Sequence, residues 1–210
     1  MIQLNNNIHE MKNFIRTILG GILAGFAISI GALAYLNVQD VLGALFFAFG
    51  LCCVIIYDVP LFTGKAYKWH KKLDVLFLIW LVLLCNILGA YIFGNFAEIT
   101  DNLRDTAGNI ISKRFEWGWL KSGIMAIGCG MAITAGVKSA AVAMGGRSWI
   151  ALILGVAVFI ICGFPHCVAD IFYATISNQA IDYIFSWEYL SVIIGNYIGC
   201  NIICLAKLEW

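Results

Sequence analysis

The chain has 210 residues, 62% of them hydrophobic and only 12% charged, with a formal net charge of +1 and a mean hydropathy of +0.90. Soluble domains carry about 25% charged residues, so this composition excludes a soluble enzyme or binding module and indicates an integral membrane protein. No basic tract is dense enough to serve nucleic acid, so no nucleic-acid partner is expected; the partners implied are membrane lipid and whatever crosses the membrane.

The N-terminus, Met1-Ile-Gln-Leu-Asn-Asn-Asn7, lacks the pattern of a signal peptide, and residues 5–14 read as a short helix on the inner membrane surface. Six segments then match a hydrocarbon core about 30 Å thick. They are Ile15–Leu36, Val41–Tyr57 continuing past a break to Trp69, Leu73–Phe96, Trp117–Met144, Trp149–Phe164 continuing past a second break to Ile176, and Tyr189–Ala206. Lys12, Arg16, Lys65, Lys68, Lys71, Lys72, Arg147 and Lys207 fall on one side, whereas Asp40, Glu98, Asp101, Asp105, Glu116, Asp182 and Glu188 fall on the other. The positive-inside rule makes the first side and both termini cytoplasmic. Trp69, Trp117, Trp119, Trp149 and Trp187 sit near segment ends, as interfacial anchors do.

The only two prolines, Pro60 and Pro165, lie 105 residues apart in the strings Asp58-Val-Pro-Leu-Phe-Thr-Gly64 and Gly163-Phe-Pro-His-Cys-Val-Ala-Asp170. A helix in lipid cannot leave backbone groups unpaired, so a Pro/Gly break is tolerated where it lines a cavity or is buried in protein. Two breaks at corresponding places in two halves point to a substrate site at the bilayer midplane, with Pro60, Gly64, Gly163 and Pro165 as helix breakers and His166 as an ionisable group within.

Repetition extends further. Gly21-Ile-Leu-Ala24 echoes Gly123-Ile-Met-Ala126, and Asn86-Ile-Leu-Gly89 echoes Asn196-Tyr-Ile-Gly199. Three crossings per repeat place the halves in opposite orientation. The fold class expected is therefore an all-α polytopic membrane protein: six transmembrane helices in an aquaporin-like inverted repeat with two broken helices. It forms one transmembrane domain over 1–210, with repeats of about 15–96 and 117–207. Glycines such as Gly20, Gly21, Gly25, Gly128, Gly130, Gly195 and Gly199 let helix backbones approach. The eight cysteines all fall in apolar stretches without metal-ligand spacing, and read as buried small hydrophobes; no metal and no cofactor is expected.

These strings resemble a family. Leu61-Phe-Thr-Gly64 resembles the loop that breaks the second helix of the formate/nitrite transporter (FNT) family, and Gly163–Asp170 resembles its fifth-helix break, with His166 on the family's central histidine. Gly195-Asn196 with Gly199 is similar to its last helix and Ile127–Ala140 to its fourth. The resemblance implies a homopentamer of aquaporin-like protomers in the inner (cytoplasmic) membrane, each with its own pore for small monovalent anions or their acids. It also implies apolar constrictions at Phe47, Leu51, Leu61, Phe62, Ile133 and Phe159, and an outer-vestibule cation at Arg114. Four positions depart from the pattern: Pro60 and Pro165 replace glutamates, Gly130 replaces the fourth-helix asparagine, and Asp170 replaces the asparagine after the histidine motif.

A mechanism follows from the residues themselves. Taking a carboxylate-sized ion into a medium of low dielectric costs of order 20 kcal/mol in the idealised Born limit, whereas the neutral acid crosses far more cheaply. His166, among Phe164, Cys167 and Val168, is placed to supply a proton or a hydrogen bond to an anion, and Thr63 from the opposite break adds a hydroxyl. Short-helix N-termini at the breaks would add positive dipole ends. Arg114, Lys113 and Lys121 would gather anions outside, and Lys138 would do so at the inner mouth, where snorkelling explains it equally well. An embedded enzyme would require a cluster of catalytic groups, but only His166 and Asp170 are close, so no enzyme is expected. The alternative is a channel for small neutral solutes such as water, since both family glutamates are absent.

Overall fold

The computed structural model describes residues 2–66, 73–142 and 147–207, and every regular element among them is an α-helix. In chain order these are α1 (Ile2–Val38), α2 (Asp40–Ile56), α3 (Phe62–Lys65), α4 (Leu73–Phe96), α5 (Asp101–Val142), α6 (Arg147–Ile161), α7 (Ala169–Ile176), α8 (Ala180–Ile184) and α9 (Trp187–Lys207). Met11–Val38, Val75–Phe96 and Asp101–Ala140 are each long and apolar enough to cross a membrane, while α2 and α6 are shorter apolar helices that run into the breaks. Phe46, Phe49, Leu84, Ile124, Ile150 and Leu154 are exposed on the outside of the bundle, which suits a lipid or protein neighbour and not water. The expected cytoplasmic side includes Lys68, Trp69, Lys71 and Lys72, which lie outside the described residues.

α1, α2 and α4 pack together as one repeat and α5, α6 and α9 as the other, while α3 and α7 reach across to the opposite half. The register between repeats is 105 residues throughout the first two helices of each. Gly25 sits against the backbone of Asn86, Gly89 and Ala90, and Gly130 sits against that of Asn196, Gly199 and Cys200 in the same manner. Gly31 meets Phe47 as Gly136 meets Leu152, and Gly50 meets Ala27 as Gly155 meets Ala132. The match of Gly21 with Gly123, at 102, is therefore displaced by three residues: Gly21 corresponds to Ala126. A four-letter apolar string fits several registers about equally well, whereas backbone contact tolerates one.

Three other expectations change. Residues 5–14 do not form a separate surface helix; the helix is continuous from Ile2, because no Gly or Pro between 5 and 19 interrupts it. Residues 101–116, which lie between the expected third and fourth crossings, are helical and join the fourth through Gly118, whose φ of 67° only glycine adopts easily. Leu103, Ala107, Ile111 and Arg114 give this segment one buried face at helical spacing. Among the cysteines Cys162 is exposed and Cys52 and Cys53 are half-buried, since Cys162 caps the end of α6 instead of lying within it.

Candidate functional site

Both breaks are made by the same local device. After α2, the Asp58 N–H donates to Ile55 O at 3.2 Å and the Val59 N–H to Val54 O at 3.1 Å. After α6, the Gly163 N–H donates to Ile160 O and the Phe164 N–H to Phe159 O, both at 2.9 Å. This is the Schellman termination, which requires a left-handed residue at its turn. Gly163 supplies it with φ 66°, and Asp58 supplies it at the equivalent place with φ 47°, asparagine and aspartate being the tolerable non-glycine choices. Pro60 and Pro165 follow two residues later and prevent the helix from resuming at once. Gly64 is not a breaker: it lies inside α3, one residue after Thr63.

Two asparagines then tie the short helices to the long ones. Asn86 Oδ1 accepts the Phe62 N–H at 2.8 Å, and its Nδ2 donates to Pro60 O at 3.0 Å and Gly21 O at 2.8 Å. Asn196 Oδ1 accepts the Cys167 N–H at 2.9 Å, and its Nδ2 donates to Pro165 O at 3.0 Å and Ala126 O at 2.9 Å. Each asparagine satisfies two backbone groups that the break would otherwise strand and ties them to a carbonyl of a long helix, Gly21 O in α1 or Ala126 O in α5. One of the N–H groups expected to face the centre from each short helix is thus already engaged.

The clamps bring the breaks together. Thr63 Oγ1 lies 3.1 Å from His166 Nε2, with both residues buried. His166 Nδ1 accepts the Ala169 N–H at 3.1 Å, so the neutral ring carries its proton on Nε2, facing Thr63. The imidazole stacks on Phe159, centroid to centroid 5.8 Å and 27° between planes, and Phe159 meets Phe47 edge-on at 5.5 Å.

Each break lines a cavity. One, of about 240 Å³, is lined by His166, Phe159, Arg114, Asp170, Tyr35 and Tyr173, among others. The other, of about 220 Å³, is lined by Leu51, Leu61, Gly64, Lys65 and Asp58, among others. No residue lines both, and Thr63, Phe47 and Ile133 line neither, being buried between helices. Phe62 also lines neither and packs elsewhere: its ring lies 5.9 Å from Trp80 and 6.4 Å from Tyr197, anchoring α3 to α4 and α9.

Arg114 lines the first cavity but is not a lone cation. Its Nε donates to Asp170 Oδ2 at 3.2 Å and its Nη1 to Gly163 O at 3.0 Å, and the Tyr183 hydroxyl donates to the same Oδ2 at 2.9 Å. It thus braces the second break from the 101–117 helix. Arg114, Lys113 and Lys121 surround the Trp117 ring at 5.0–5.3 Å, which concentrates three positive charges at the kink. Lys138 is half-buried and does not line the second cavity; its neighbours Val137 and Ala140 do, and the cation there is Lys65, 3.6 Å from Asp58. Tyr35 and Tyr173 were not legible as site residues, although Asp170 and Tyr173, three apart on α7, share a face with His166. Among the described residues no cluster of His, Cys, Asp or Glu could hold a metal.

The family model for formate/nitrite transporters matches residues 3–208. Among solved structures, a pentameric formate channel with formate bound aligns with a TM-score of 0.80 at 21% identity, covering 94% of this chain and 96% of that one. An FNT-family ion channel aligns at 0.79 and 16% identity, covering 95% and 91%. No curated protein sequence matches the chain. Paired helix breaks bridged at Thr63 and His166, each lining a cavity, give that match a physical basis: the chain belongs to the formate/nitrite transporter family.

Proposed function

We propose that the protein is a homopentameric channel for small monovalent anions or their conjugate weak acids, of the formate, nitrite or hydrosulfide class. The whole chain would serve as one transmembrane domain in the inner membrane. The Lys65 cavity and both termini would face the cytoplasm, and the Arg114 cavity would face outward. The observation that carries this reading is the Thr63–His166 contact between two helix breaks that each line a cavity. The pentameric, formate-bound neighbour and the three cations at Trp117 support it.

At that contact His166 offers Nε2–H, and Thr63, once it accepts that hydrogen bond, has its own hydroxyl hydrogen to give. An anion entering from the Arg114 cavity would meet both donors while Phe47, Phe159, Leu51 and Leu61 exclude water around it. A second proton on Nδ1 would displace the Ala169 N–H, so this geometry favours His166 as a hydrogen-bond donor over His166 as a proton donor. The proton that neutralises the permeant would then come from the aqueous cavities, and flux would rise as external pH falls.

A flux panel in proteoliposomes, with formate, nitrite, hydrosulfide, acetate and lactate at several pH values, tests the proposal. Flux of the smallest members that grows with acidity is expected. Flux of small neutral solutes without anion flux would establish the second reading, which the charge pairing of Arg114 with Asp170 favours.

A further inference from the structure

Tyr173 lies on α7, with its side chain in the wall of the cavity that also holds His166, Arg114 and Tyr35. It is only 3% exposed, yet no described group reaches its hydroxyl. Buried tyrosine hydroxyls nearly always find a partner, because stranding one costs more than an average hydrogen bond contributes. Two of the polar groups on the same wall are already engaged. Asp170 Oδ2 accepts from Arg114 and Tyr183, and Arg114 is shared between Asp170 and the Gly163 carbonyl. The Tyr173 hydroxyl is thus an uncommitted donor, itself shielded, on a residue that lines a cavity with Lys113, Arg114 and the buried histidine on its wall.

Resting on the function proposed above, we propose that Tyr173 is a specificity-determining residue: its hydroxyl donates to an acceptor oxygen of the permeating anion in the Arg114 cavity, before the anion reaches His166. Oxygen accepts hydrogen bonds well and sulfur weakly, so this contact favours small oxyanions over hydrosulfide. A phenol carries no charge, so it serves the anion and the protonated acid alike and does not trap either.

The test is Tyr173→Phe, which keeps the ring and removes the donor, assayed in proteoliposomes for formate, nitrite and hydrosulfide. Loss of one neutral hydrogen bond should raise the half-saturation concentration for formate and nitrite about three- to tenfold, with hydrosulfide changed less than about twofold. The thermal midpoint should not fall, because no intramolecular bond is lost. Equal change for all three permeants, or none, overturns the proposal, as does a lowered midpoint, which would make the hydroxyl structural. If the parent protein moves none of the three, the functional reading itself fails; a parent that moves formate while Tyr173→Phe behaves identically sinks only the role of Tyr173.

Discussion

Arg114 and Asp170, 56 residues apart, meet with Nε to Oδ2 at 3.2 Å while 5% and 1% of their side chains remain exposed. Removing one partner of a buried pair leaves an uncompensated charge, which typically costs about 3–5 kcal/mol. Arg114→Met should therefore lower stability by an amount in that range and loosen the Gly163 turn. Asp170→Asn should cost less, since it keeps an acceptor for Tyr183. It also frees positive charge in the cavity, so the half-saturation for anions should fall at low salt and return toward the parent value at high salt. Thermal denaturation in detergent and flux at two ionic strengths check both; a salt-independent effect of Asp170→Asn would contradict the charge argument.

His166 is best probed by two substitutions. His166→Phe fills the space without a donor and should abolish anion flux in a folded protein. His166→Asn keeps a donor that cannot be protonated near neutral pH, and should retain flux if His166 serves as a hydrogen-bond donor. Lost flux in His166→Asn alongside a normal fold would assign it the proton-donor role instead. Thr63→Val, which removes the facing hydroxyl, should slow flux about tenfold or less, as expected for one neutral hydrogen bond.

Asn86 and Asn196 make equivalent sets of three hydrogen bonds, so their alanine variants should fail alike. Each strands an N–H and a carbonyl at a break and cuts its tie to a long helix, and a loss of about 2–4 kcal/mol is expected for either. Unfolding midpoints of the two variants, measured in the same detergent, should agree closely. A large difference would mean that the two halves are not mechanically equivalent.

Glycines separate by position. At Gly25 and Gly130 an added Cβ would strike the backbone of the partner helix, so Gly→Ala at either should prevent tight packing and yield misassembled protein. At Gly64 the nearest atom is Leu61 Cβ at 3.7 Å, an ordinary contact, and the residue is helical. Gly64→Ala should be neutral or stabilising by up to about 1 kcal/mol. Size-exclusion profiles and midpoints of the three variants decide the matter.

Composition alone made the chain a membrane protein, since a surface this apolar has no other solvent. The six crossings and the two breaks were legible for the same reason: Pro and charged residues are rare enough in this chain to announce themselves singly. The strings around them were sufficient to mark the resemblance to the FNT family. Other features depended on which groups the fold brings within reach. The 105-residue spacing of the two prolines was in the sequence, but that it holds along the first two helices of each half emerged only from backbone contacts at Gly25, Gly130 and their partners, because apolar strings match one another loosely. Arg114 looked like a free vestibular cation until folding placed Asp170, Tyr183 and the Gly163 carbonyl around it. Phe62 looked like a constriction until α3 turned its ring toward Trp80 and Tyr197. Asn86 was visible as a repeated letter, but its work as a clamp depends on two carbonyls and an N–H distant in sequence. A sequence reports what each residue can do; hydrogen bonds and charges act over about 3–4 Å, and only the tertiary structure decides which partners lie that close.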